Sequence, residues 1–113
     1  MRTLILAAVL LIPGGAAAGE YKTGQEILEA CLQPSGPGAV FCLGYVEGVA
    51  GAMSAGPVDN WDACIPAMVT AGDLAQVVAV GLAKRPDMLR GFAASSLVAH
   101  VLADAFPCHK SNT

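Results

Sequence analysis

Apolar residues crowd the start of this 113-residue chain and then settle into helical spacing for the rest of it. Leu4 to Ile12 is an unbroken apolar run of nine residues, preceded by Arg2 and followed by Pro13-Gly14-Gly15 and Ala16-Ala17-Ala18. A charged start, a short apolar stretch, a helix breaker and small residues at a cleavage point follow the order of a secretory signal peptide. The run is far short of the ~20 residues that a membrane span needs. Residues 1–18 are therefore expected to be removed. Residues 19–113 then remain as one periplasmic domain with no membrane attachment.

The rest of the chain predicts four helices. Thr23-Gly24-Gln25-Glu26 is a capping box, with a hydroxyl and a carboxylate each serving an exposed backbone N–H. It opens a short helix through Ile27, Leu28, Cys31 and Leu32, which the stretch Gln33 to Gly38 ends. A second helix is expected from about Ala39 to Ala55. At 100° per residue it gathers Phe41, Cys42, Tyr45, Val46, Val49 and Met53 on one face and Gly44, Gly48, Gly51 and Ala55 on another. Interior glycines cost a helix about 0.8–1 kcal/mol each relative to alanine. The glycine strip therefore predicts close approach of another backbone. After the loop Gly56–Pro66, Thr70 and Asp73 form a second capping box before the stripe Leu74, Val77, Val78, Gly81 and Leu82. Lys84 and Arg85 suit the negative end of that helix. Pro86 is expected to begin a fourth helix running to about Phe106. The predicted fold is a small all-α bundle of two antiparallel helical hairpins.

Cysteine usage adds a covalent frame. Cys31, Cys42, Cys64 and Cys108 all follow the leader, and an even set in a short exported chain reads as two disulfides. Three pairings are possible, and helix order favours Cys31–Cys42 and Cys64–Cys108. Each of these joins two ends of one hairpin, whereas Cys42–Cys64 would require the loop to run back along a helix of roughly 25 Å. No C-x-x-C occurs, so neither a redox motif nor a zinc knuckle is expected, and no metal or other cofactor is implied. Without the leader, five Lys/Arg stand against nine Asp/Glu. That acidic balance, with no basic stripe, argues against nucleic acid as a partner.

Candidate chemistry is sparse. Nucleophile-elbow, zinc-protease, phosphate-loop and dinucleotide signatures are missing from the sequence. Ser96, His100 and Asp104 fall at i, i+4 and i+8, in one row on the fourth helix. Their types match a hydroxyl–imidazole–carboxylate relay, but a relay also needs an oxyanion hole and a concave site. The row reads better as a polar or partner-contacting face, and the chain reads as a non-enzyme. The wide apolar arc on the rest of that helix (Leu97, Val98, Val101, Leu102, Phe106, with Phe92) implies contact on two sides and hence a homodimer. Trp61, flanked by Asp59 and Asp62, is the other candidate contact, because tryptophan is enriched at binding hot spots. Its competing role is to cover the nearby Cys64 bridge.

From Cys31 onward the residues resemble the Rap/Tai family of type VI secretion immunity proteins. The resemblance is carried by Phe41-Cys42-Leu43-Gly44-Tyr45-Val46-Glu47-Gly48, Cys64-Ile65-Pro66, Val69-Thr70, Val77-Val78, Ala94-Ser95-Ser96-Leu97-Val98 and Ala105-Phe106-Pro107-Cys108. It covers about Gly24 to Cys108. Asp73 and Gly81 depart from the family pattern, where glutamine and a larger residue are usual, and Arg85-Pro86-Asp87-Met88-Leu89-Arg90 is less polar than the related segment. The resemblance implies a small periplasmic helical protein, often dimeric, that binds and blocks a peptidoglycan-cleaving amidase toxin. A periplasmic helical binding or chaperone-like module without a toxin partner is the alternative.

Overall fold

The computed structural model describes residues 21–109, so the leader expected over residues 1–18 lies outside the described residues. Helix α1 spans Gly24–Cys31, α2 Pro37–Ala55, α3 Ala71–Ala83 and α4 Ala94–Ala105, with a 3₁₀ turn at Pro86–Met88 before α4. Among the described residues the only strand-like pairings are two isolated bridges, Thr23 with Ala93 and Val58 with Trp61. The protein is an all-α bundle in which every helix touches the other three.

Both capping boxes form. Thr23 Oγ1 accepts from the Glu26 N–H, and Glu26 Oε1 accepts from the Thr23 N–H at 2.9 Å. Thr70 and Asp73 repeat the exchange at 3.1 Å in each direction. Asp73 thus caps α3. Arg85 serves the other end of α3, its Nη1 donating to the Gly81 carbonyl at 2.7 Å.

The fourth helix begins at Ala94 rather than at Pro86. Residues 89–94 spend their backbone groups on the chain entering α1 instead of on a helix. The Leu89 carbonyl accepts from the Gln25 N–H at 3.0 Å, and the Ala94 N–H donates to the Lys22 carbonyl at 2.8 Å. Gly24 allows this crossing, because a Cβ there would lie 2.6 Å from the Leu97 side chain and 3.3 Å from Leu89.

Helix α4 is the central element. Ala94, Leu97, Val98, Ala99, Val101 and Leu102 are buried, in a core shared with Ile27, Val46, Val78 and Leu82. Of the wide apolar arc read on this helix, Leu97, Val98, Val101 and Leu102 are buried within the single chain, whereas Phe92 is 51% exposed. Among the described residues no polar or charged residue is buried. Gly81 lets α3 approach α4 closely, since a Cβ there would come within 2.4 Å of the Val101 side chain. A larger residue at this position would force the two helices apart.

The glycine strip of α2 behaves differently from expectation. Cβ atoms built at Gly44, Gly48 and Gly51 would meet nothing within 4 Å, so no other part of the described residues packs there. The core-facing stripe is Cys42, Val46, Val49 and Met53, while Phe41 remains 42% exposed.

The bridges are Cys31–Cys42 and Cys64–Cys108, with Cα separations of 5.0 and 4.9 Å. They close loops with sequence separations of 11 and 44. On chain entropy these loops contribute about 3 and about 4 kcal/mol respectively. Paired Cys→Ala substitutions followed by urea unfolding should therefore show the larger loss, about 4 kcal/mol, for Cys64 with Cys108.

Candidate functional site

The candidate residues converge where the α2–α3 loop folds onto α4. Asp59 and Asn60 both have positive φ, 51° and 69°. Val58 and Trp61 exchange backbone hydrogen bonds across them at 3.0 and 2.8 Å. This is a two-residue reverse turn with both central residues left-handed, a conformation that Asp and Asn tolerate better than other non-glycine residues. The turn projects the exposed Asp59 and Asn60 as a tip and turns Trp61 back toward α4.

Two side-chain contacts clasp the turn. The Trp61 ring stacks on His100, with centroids 4.1 Å apart and planes 8° from parallel. Ser96 Oγ donates to Asp59 Oδ2 at 2.7 Å. The row on α4 continues to Asp104, whose Oδ2 lies 3.4 Å from His100 Nε2 and also bonds Arg85 Nη2. The loop thus reaches α4 through Ser96 and through the Trp61–His100 stack, and polar contacts run on from His100 through Asp104 to the end of α3.

This arrangement answers the separate readings of the sequence. Asp59, Trp61, Ser96, His100 and Asp104 come together, although the loop and the helix are remote in sequence. Asp62 stands apart from them, on a groove beside Cys64 and Cys108. The Trp61 ring takes His100 as its stacking partner. Ser96 gives its proton to Asp59 rather than to the imidazole, so the row on α4 is a docking seat for the loop rather than an assembled relay. Arg85 completes the cluster and was not among the sequence candidates. Its position at the end of α3 suggested only a role toward the helix dipole, and its reach to Asp104 depends on the α3–α4 packing.

Arg85 and Asp104 also border an open groove between α3 and α4, floored by Val77, Val80, Gly81 and Val101. On the opposite side of the clasp, Tyr45 sits with Gly44, Gly48, Val58 and Ser95 along a shallow groove on α2. Burial pushes the Tyr45 hydroxyl above its ordinary value of 10.0, against the lowering effect of its hydrogen bond with Ser95. Among the described residues no three His, Cys, Asp or Glu side chains are placed to hold a metal ion.

The fold and this clasp define a small disulfide-stapled helical domain that presents a braced, acidic-tipped turn. Residues 23–108 match the Rap1a immunity proteins, and the chain belongs to that family. No curated protein and no solved structure gives a significant match. The two bridges agree with folding in an oxidising compartment.

Two outcomes follow from this geometry. Asn60→Gly removes the Cβ from a left-handed position and should stabilise the protein by about 1 kcal/mol, read by urea unfolding. For Tyr45 the fold favours the neutral phenol. Stability should therefore be unaffected by this group below pH ~10 and fall as pH rises through its higher folded value. Alkaline unfolding of Tyr45→Phe should lack that component.

Proposed function

We propose that this chain is an exported, non-enzymatic immunity protein that binds and blocks a peptidoglycan-degrading amidase toxin of a type VI secretion system. The observation that carries the proposal is the family match over residues 23–108. The leader read at residues 1–18 and the two disulfides support a periplasmic location, the compartment in which such a toxin meets its substrate.

The clasped turn is the proposed contact surface, with Asp59, Trp61, Ser96, His100 and Asp104 at its centre and Asp62 flanking it on the neighbouring groove. A partner-binding loop binds more tightly when its shape is fixed beforehand, because less conformational freedom is lost on association. Two stabilising contacts fix this one, and its tip offers the Asp59 carboxylate beside an aromatic ring. Within this reading Ser96 and His100 are positioning residues for Asp59 and Trp61.

The test is protection. The full precursor is expressed in cells that also export the amidase encoded beside it, and lysis is followed. The wild-type chain should protect, and the processed protein recovered from the periplasm should begin at Gly19 and bind the amidase. Trp61→Ala should weaken binding by ~2 kcal/mol or more, the loss expected of a hot-spot residue. Ser96→Ala should weaken it by ~1 kcal/mol, the net worth of a positioning hydrogen bond. Failure of the wild-type protein to bind or neutralise every co-encoded amidase would remove the proposal.

A further inference from the structure

The two disulfides sit in different surroundings. Cys42 is 2% exposed and belongs to the apolar core with Ile27, Leu28 and Val46. Cys64 is exposed, and its partner Cys108 is half-buried between the exposed Pro107 and His109. Cys64 and Cys108 line a groove of about 480 Å³ beside the end of α2, together with Met53, Ala55, Asp62 and Ile65. Loop length acts on the unfolded chain. In the folded protein, access to the sulfurs and the fate of the expelled thiolate decide which bridge exchanges.

We propose that Cys64–Cys108 is a site of thiol–disulfide exchange with an external dithiol, whereas Cys31–Cys42 is closed to the same reagent. A thiolate of the dithiol attacks Cys64 Sγ from the groove. A mixed disulfide forms as the Cys64–Cys108 bond breaks, and Cys108 leaves as a thiolate that takes a proton from water. The second thiolate of the dithiol then displaces Cys64. The dithiol ends as a disulfide, and the bridge is reduced by two electrons to two thiols. Cys108 is expelled at the surface, where water solvates its charge. Exchange at Cys31 would instead expel Cys42 as a thiolate into the core, where nothing solvates it. Asp62 opposes the favoured reaction, because its carboxylate on the same groove repels an incoming thiolate.

Opening this bridge acts on the clasped turn. Cys64 lies three residues beyond Trp61. Once the bridge is open, the segment after the turn keeps the hydrogen bond from the Cys64 N–H to the Phe106 carbonyl and the partly buried Ala63 and Ile65. The Trp61–His100 stack and the Ser96–Asp59 hydrogen bond then hold the turn with one anchor fewer. The helices keep their own hydrogen bonds, and Cys31–Cys42 still joins α1 to α2. The exchange therefore sets how firmly the turn is held without dismantling the bundle.

The site is independent of the toxin reading, and its test uses no toxin. Protein recovered from the periplasm is equilibrated without denaturant in graded dithiothreitol, alkylated, and mapped by mass spectrometry. Cys64 and Cys108 should become alkylated at a concentration at least ~10-fold below that which exposes Cys31 and Cys42. Asp62→Asn should speed the opening about twofold at low salt, and added salt should erase the difference. Trp61, the one tryptophan of the chain, reports on the turn. Its emission should shift to the red when only Cys64–Cys108 is open, with far-UV circular dichroism unchanged. Cys64→Ser with Cys108→Ser should reproduce that emission without any reductant. Joint opening of the two bridges, earlier opening of Cys31–Cys42, a rate indifferent to Asp62→Asn, or a Trp61 emission that stays fixed would overturn the inference.

Discussion

Burial of α4 is the constraint on which the rest of the structure depends. Half of its twelve residues are buried, and each surrounding element is shaped to reach it. Gly24 lets α1 cross its first turn, and Gly81 lets α3 lie close along its middle. The strand-like contact between Thr23 and Ala93 sets where it begins. The candidate site inherits this rigidity. Ser96, His100 and Asp104 occupy the one polar row of a helix whose other sides are fixed, so the turn that rests on them is fixed as well.

Much of the fold was legible because its signals are local. Both capping boxes lie within four consecutive residues, and their hydrogen bonds form as the residue types require. The disulfide pairing follows from helix order alone. The late start of α4 was not legible, because Pro86 does begin a helical turn, and what ends that turn is a hydrogen-bonded crossing with Lys22 and Gln25, far earlier in the chain. Helical periodicity carries no information about such a partner. The same limit explains α2. Interior glycines predict a close neighbour, but their spacing does not reveal that the described residues place none there.

The candidate site shows the limit more sharply. Trp61 and His100 were each conspicuous, one as a lone indole among acids and the other as the middle of a row. Their stacking joins a loop to a helix across 39 positions and emerges only when the chain is folded. Arg85 was visible for its charge and not for its target, since Asp104 comes into range only because Gly81 allows α3 to settle against Val101. Membership of the Rap1a family adds a biological context to this geometry. The geometry in turn shows how Asp73 and Gly81 serve that architecture. Asp73 performs the capping, and Gly81 exchanges side-chain bulk for proximity.

The position of Cys64 has a mechanical consequence. It lies three residues beyond Trp61 and is bonded both to Cys108 and, through its backbone N–H, to the Phe106 carbonyl at 2.8 Å. A pull on the turn therefore reaches a covalent tether almost at once on that side, and the load passes to the far end of α4 without unwinding α3. On the other side the chain runs into α2, itself bolted to α1 through Cys42. A partner that tugs on this turn therefore meets a covalent stop at Cys64 on one side and the hydrogen bonds of α2, between Ala55 and Cys42, on the other.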